Sequence, residues 1–301
     1  LILSDQECAA AAVYTMNRVK AAPLYVTMEH LEDGTAWGVA ANSGNANACC
    51  PMSHEYAEEM ARLAARATGR APADFVVAST GVIGQTINIS AIQAGMPAAA
   101  AGLTAGPEGS DAAARAIMTT DTVKKELALA CSIGGRTVTL GAIAKGSGMI
   151  HPNMGTMLAF VTTDCAITHE LLSDALHEVV SRTFNRVTVD GDTSTNDMCV
   201  VLANGMAGNS LIEWKDQDYE TFLAALEEVC RHLSRAIAGD GEGASKLVTC
   251  KMHGARSEES AERLAKAVVG SSLVKAAMFG ADANWGRVLC AMGYSKAPFR
   301  P

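Results

Sequence analysis

Aromatic side chains are scarce in this 301-residue chain, at 5%, and basic ones are outnumbered, with 24 Lys and Arg against 32 Asp and Glu. The resulting charge of −8, with an isoelectric point near 5.4, lacks the electrostatic footprint of a protein that releases counterions from a phosphate backbone. Nucleic acid is not an expected partner. Long apolar runs are missing too. No stretch approaches the roughly 18 uninterrupted apolar residues of a membrane-spanning helix, and the longest alanine-rich run, residues 98–106, is flanked by Pro97 and broken by Gly102 and Gly106. No membrane is expected either. The nine cysteines are odd in number and scattered, with a vicinal pair at Cys49-Cys50 and no C-x-x-C. Neither a disulfide framework nor a zinc knuckle follows from them; reduced, buried thiols in a cytoplasm do. The chain opens at Leu1 with no charged leader, so no signal peptide is expected, and further natural residues are expected at both ends.

The common cofactor templates are lacking as well. The segment Lys145-Gly146-Ser147-Gly148-Met149-Ile150-His151 begins G-x-G but carries His where a dinucleotide fingerprint needs its third Gly. Residues 239–246 lack the order of a phosphate-binding P-loop. The run from Asp190 starts like a calcium loop, yet has Thr195 at its sixth position and Val201 at its twelfth, where a bidentate Glu is required. No H-E-x-x-H, tight His/Cys/Asp cluster or G-x-S-x-G occurs, so no metal or organic cofactor is expected.

What is present is 49% hydrophobic residue content, 19% charged residues and a mean hydropathy of +0.14, the balance of a globular chain. The length allows two domains of roughly 150 residues or one large α/β unit. Runs rich in β-branched residues predict extended segments at 25–29, 36–41, 75–78, 137–144, 157–163, 186–190, 199–203 and 247–252. Helical spacing of apolar residues predicts helices at 55–68, 168–183, 219–238 and 258–269, with Thr168 as a cap and Gly69, Gly239 and Gly270 as stops. Strands and helices mix along the whole chain without repeats or linkers, so an α+β or layered α/β fold in one unit is expected.

One segment has the layout of a reaction centre. Gly155-Thr156 stands at the head of an apolar strand, behind the turn-rich Pro152-Asn153. A threonine hydroxyl there is placed to attack the preceding carbonyl, shift the acyl group from N to O and lose the upstream chain to water. A preceding glycine keeps the approach uncrowded and tolerates unusual dihedrals. The freed α-amine, with an ordinary pKa of about 7.7–8.0, then serves as base for its own hydroxyl. Taken alone, the segment favours the simpler reading, in which Thr156 is merely a β-branched residue opening a strand.

Eight segments, in this order along the chain, widen the view: residues 17–23 (NRVKAAP), 42–48 (NSGNANA), 79–84 (STGVIG), 117–122 (IMTTDT), 145–160, 184–197, 241–246 and 284–287 (NWGR). Together they resemble the ornithine acetyltransferase family, bifunctional glutamate N-acetyltransferases of arginine biosynthesis. The resemblance implies a sandwich of β-sheets with flanking helices, in the manner of self-processing N-terminal-nucleophile enzymes. It implies that Thr156 is the self-cleaving nucleophile that carries acetyl as an ester, with Gly155-Thr156 the cleavage site. The chain then divides into a fragment of residues 1–155 and a fragment of residues 156–301. Thr80 and Gly81 match the family's oxyanion-hole pair, for which a hydroxyl and a backbone N–H are suitable donors. Thr119, Lys145 and Glu242 match substrate-contacting positions together with Thr156; a Lys and a Glu suit the two charges of an amino acid. By residue type alone, Thr80-Gly81 is a strand-to-turn junction and Lys145 and Glu242 are solvated charges. Residues 190–197 and 284–287 fit the family pattern as structural loops. Gly155 stands where many members have Ala, and both are small.

The expected reaction moves acetyl from N2-acetylornithine to glutamate, with acetyl-CoA as a further donor, and the expected assembly is a heterotetramer of two copies of each fragment. Two alternatives remain at this level: a self-processing amidase or aminopeptidase that passes the acyl group to water, and an unprocessed, inert fragment.

Overall fold

The computed structural model describes residues 1–151 and 157–300. Along the chain come β1 (Ile2–Tyr14), α1 (Ala22–His30), β2 (Thr35–Asn45), α2 (Ser53–Thr68), β3 (Phe75–Val82), α3 (Ile89–Ala101), α4 (Pro107–Ala116), β4 (Lys125–Ile133), β5 (Arg136–Lys145), β6 (Leu158–Thr163), α5 (His169–Arg182), β7 (Met198–Ala203), α6 (Gln217–Gly239), α7 (Glu258–Gly270), α8 (Ser272–Phe279) and α9 (Trp285–Gly293). The strands form one seven-stranded, hydrogen-bonded sheet in the order β3-β2-β1-β7-β6-β5-β4. The β2-β3 and β6-β7 pairs are parallel, and the remaining pairs are antiparallel.

This sheet is not flat. β1 pairs with β2 near its start, Ile2 opposite Val39, and with β7 near its end, Tyr14 opposite Met198. At about 3.3 Å per residue, a flat sheet would hold the end of β2 and the start of β7 tens of ångströms apart. Yet Asn196, just before β7, donates its Nδ2 to the carbonyls of Ala46, just past β2, at 2.7 Å and of Ser79, in β3, at 2.8 Å. The sheet therefore bends back on itself, and the register break in β1 between Leu3 and Cys8 supplies the corner.

Strict alternation along the strands then separates three apolar layers. Val76 and Ala78 of β3 share a buried cluster with Ile143, Leu158, Phe160, Met198 and Val200, between the two halves of the sheet. The intervening residues Leu140, Ala142, Ala159, Val161, Cys199 and Val201 face Leu172 and Leu176 of α5 and Phe222 and Leu226 of α6. On the other side Phe75 and Val77 meet Met60, Ala61, Leu63 and Ala64 of α2. The result is helix, sheet, sheet, helix: the expected layered α+β sandwich, made of two halves of one sheet. Because the central strands are buried on both faces, they read as unbroken apolar runs, such as Met198–Ala203.

The helix expectations hold to within two residues. Thr168 caps α5 by accepting from Leu171 N–H, Asp216 caps α6, and α2 ends at Gly69 with φ +72°. Three extended segments differ. Residues 25–29 lie inside α1, where Pro23 opens the helix and Thr27 and His30 seal the edge of β3. Residues 186–190 form no strand; Asp190 instead caps the N–H groups of Met149, at 2.5 Å, and Ile150, at 2.9 Å. Residues 247–252 find no ladder among the described residues. β1 and β4 go beyond the sequence expectation. Ala9 to Ala12 in β1 favour helix by propensity, and their small side chains fit the crowded centre of the folded sheet. No helix among the described residues is long and apolar enough to cross a membrane.

Candidate functional site

The site is built where β5 ends and β6 begins. Lys145 is the last residue of β5 and stands opposite Leu158, the first of β6. Gly155 and Thr156, the expected cleavage site and nucleophile, lie outside the described residues. Met157, which follows Thr156 in sequence, is buried; its N–H donates to Asp197 Oδ1 at 2.7 Å and its carbonyl accepts from Met198 N–H at 3.0 Å.

Asp197 is fully buried, and its Oδ2 has no hydrogen-bond partner among the described residues. Burial pushes its carboxyl well above the ordinary aspartate value; the Met157 N–H, the Thr15 hydroxyl and the charge of Lys145 offset only part of that. Lys145 is 3% exposed, with Nζ 4.0 Å from Asp121 Oδ2. Burial lowers its ammonium below the ordinary lysine value, against the pull of Asp121, Asp197 and Glu242. Lys145 is thus a buried cation, and not the solvated charge that its residue type alone allows.

Two other expected contacts are tied to the same place. The N–H of Thr119, an exposed residue, donates to Asp121 Oδ2 at 3.1 Å, while Asp121 Oδ1 accepts from Gly146 N–H, next to Lys145, at 2.7 Å. Glu242 N–H donates to the Ser147 carbonyl at 3.0 Å. Its carboxylate overhangs Gly148, where an added Cβ would sit 2.4 Å from Oε1. Gly148 leaves the room that this carboxylate occupies.

Thr80 and Gly81 lie near the end of β3, just before Val82. Thr80 is buried and pairs with Ser43 of β2, whose Oγ donates to the Ala116 carbonyl at 2.8 Å, three residues before Thr119. Gly81 has φ +132°, and a Cβ there would lie 2.2 Å from the Gly44 carbonyl carbon. Only glycine allows β2 and β3 to approach so closely where both strands end.

The dipeptide Asn196-Asp197 joins these two ends. The Asn196 side chain holds Ser79, which precedes Thr80, and the Asp197 side chain holds Met157, which follows Thr156. From the sequence, residues 190–197 are expected to form a structural loop. That holds for Asp190, a backbone cap, and underrates Asn196 and Asp197, which link the segment carrying Thr80-Gly81 to the start of β6. The visible signal was a wholly polar run, Asp192 to Asp197, set directly against the apolar β7. Thr80, Gly81, Thr119, Lys145 and Glu242 thus stand on connected segments around the start of β6.

The family model and the curated relatives agree on one family. The ArgJ family model matches residues 1–301. The arginine biosynthesis bifunctional protein ArgJ of Symbiobacterium thermophilum is 56% identical over 302 residues, covering 100% of this chain and 75% of that protein. Its namesake from Geobacillus kaustophilus is 48% identical over 303 residues, covering 100% and 73%. Among solved structures, the ornithine acetyltransferase of Mycobacterium tuberculosis complexed with ornithine is 33% identical, covering 50% of this chain and 78% of that one with a TM-score of 0.44. With a family model along its whole length and relatives near half identity, the chain belongs to the ArgJ family.

Proposed function

We propose that this chain is an acetyltransferase of arginine biosynthesis that moves acetyl from N2-acetylornithine to glutamate through an ester on Thr156, after cutting itself between Gly155 and Thr156. The observation that carries the reading is the Asn196-Asp197 bridge, which ties Ser79, beside Thr80-Gly81, to Met157, the neighbour of Thr156.

Self-cleavage starts when the Thr156 hydroxyl oxygen attacks the Gly155 carbonyl carbon. The C–N bond breaks, the hydroxyl proton passes to the departing nitrogen, and water hydrolyses the ester to leave a Gly155 carboxylate and a free Thr156 α-amine. In the transfer cycle that amine takes the hydroxyl proton as the oxygen attacks the acetyl carbon of N2-acetylornithine. Thr80 hydroxyl and Gly81 N–H donate to the tetrahedral oxyanion. The proton passes to the leaving amine and ornithine departs; the amine of glutamate then attacks the ester, giving N-acetylglutamate and restoring the hydroxyl. Lys145 and Glu242 meet the charges of the amino-acid substrates, and Thr119 lines the same site. Acetyl-CoA serves as a further donor, and no metal or organic cofactor enters the cycle.

The two fragments, 1–155 and 156–301, stay joined after cleavage because β6 and β7 of the second lie between β5 and β1 of the first. Two copies of each form the heterotetramer, which works in the cytoplasm.

Intact mass under denaturing conditions tests the reading: two polypeptides, residues 1–155 and 156–301, are expected, and Thr156→Ala leaves one. A persistent single mass in the parent chain overturns it. Incubation with N2-acetylornithine and glutamate yields N-acetylglutamate; acetyl recovered only as free acetate identifies an amidase instead.

A further inference from the structure

Lys125, the first residue of β4, has a fully buried side chain whose ammonium lies 2.7 Å from Asp121 Oδ1 and 2.6 Å from Asp240 Oδ2. It also donates to the Val123 carbonyl at 3.2 Å. Both carboxylates organise segments that carry the expected substrate contacts. Asp121 accepts from the N–H groups of Thr119 and Gly146 and lies 4.0 Å from Lys145 Nζ. Asp240 accepts from Thr122, through N–H at 3.0 Å and through its hydroxyl. The Asp240 carbonyl accepts from Ser147 Oγ at 2.7 Å, and the Ser147 carbonyl accepts from Glu242 N–H at 3.0 Å. Thr119, Lys145 and Glu242 are thereby suspended from one buried ammonium.

The charges add a second role. Asp121 and Asp240 are two buried anions, and a buried anion requires a counter-ion. Lys125 sits between them at hydrogen-bond distance, whereas Lys145 stands beyond hydrogen-bond reach of Asp121 at 4.0 Å. Without Lys125, Lys145 is the nearest cation that can neutralise Asp121, and closing that gap withdraws it from anything else it binds.

We propose that Lys125 is a positioning residue for substrate binding: by neutralising Asp121 and Asp240 it fixes the Thr119, Lys145 and Glu242 segments and keeps the Lys145 ammonium available for a substrate carboxylate. This rests on reading Lys145 as a substrate contact. In the full chain, Lys125→Met is expected to raise KM for N2-acetylornithine and glutamate about 10-fold or more, to change kcat less than about 3-fold and to leave self-cleavage intact.

Because that variant strands two carboxylates, two charge-balanced variants accompany it. Lys125→Met with Asp121→Asn removes the anion that captures Lys145 and returns KM toward the parent value. Lys125→Met with Asp240→Asn leaves Asp121 charged and keeps KM high. A merely structural role predicts no such split, so equal KM in the two double variants overturns the proposal. Lys145→Met separates the underlying reading: unchanged KM there removes Lys145 as a contact and the positioning role with it. A raised KM there beside an unchanged one in Lys125→Met removes the positioning role alone.

Discussion

Asp197 concentrates the physics of the site in one side chain. Its Oδ1 accepts the Met157 N–H at 2.7 Å, so one carboxyl oxygen fixes the backbone at the head of β6. Its proton is held more tightly in the folded chain than in the unfolded one, where the pKa returns to about 3.9. The sign follows: stability from this group is complete below about pH 4 and is lost as the pH rises toward the higher folded value. Asp197→Asn keeps an acceptor for Met157 and carries no titrating proton. Its unfolding free energy is expected to vary less steeply than that of the parent chain between about pH 5 and pH 8, measured by urea denaturation at each pH; parallel slopes would refute this. Gly81 illustrates the opposite case, a residue whose role lies in having no side chain. Its φ of +132° and the backbone of Gly44 exclude any Cβ, and a Ser-Thr-Gly triplet in the sequence already pointed there.

Among the elements, α1 departs most from propensity. Tyr25, Val26 and Thr27 favour a strand in isolation, yet the segment is helical because β3 is an edge strand that must be covered. Thr27 Oγ1 both accepts from Val77 N–H and donates to the Val77 carbonyl, each at 2.8 Å, completing the backbone pairing that no further strand supplies. Thr27→Val keeps the shape and strands two buried backbone groups, so a loss of about 2–4 kcal/mol is expected in denaturant unfolding. A loss below about 0.5 kcal/mol would show that the edge does not depend on this hydroxyl. By contrast α5 and α6 were legible from sequence, because Leu172, Leu176, Val179, Phe222, Leu226 and Leu233 repeat at the helical period and all are buried. β4 was not: Lys125 at its start reads as a surface charge, and only the approach of Asp240, 115 residues later, makes it an interior one.

For the molecule as a whole, the decisive event is the folding of the sheet onto itself, which brings the ends of β2 and β3 against the start of β7. Asn196 is the clasp, with two bonds across the fold. Asn196→Leu is expected to cost about 2–4 kcal/mol by leaving the Ala46 and Ser79 carbonyls unpaired. It should also lower kcat about 10-fold or more with little change in KM, because Thr80 and Gly81 lose their placement. A rise in KM alone would contradict this assignment. By itself the sequence determined the family, and it offered a Gly-Thr junction before an apolar strand as the candidate reaction centre. Local periodicity determined the helices α2, α5, α6 and α7 and the extended runs of β2, β3, β5, β6 and β7, since both depend on neighbours close in the chain. Only the tertiary structure decided that Lys125 and Lys145 are buried cations, that residues 25–29 coil into a helix, and that Asn196 and Asp197 join two distant strand ends. Burial and charge pairing are set by groups far apart in sequence, and they meet only once the sheet has folded.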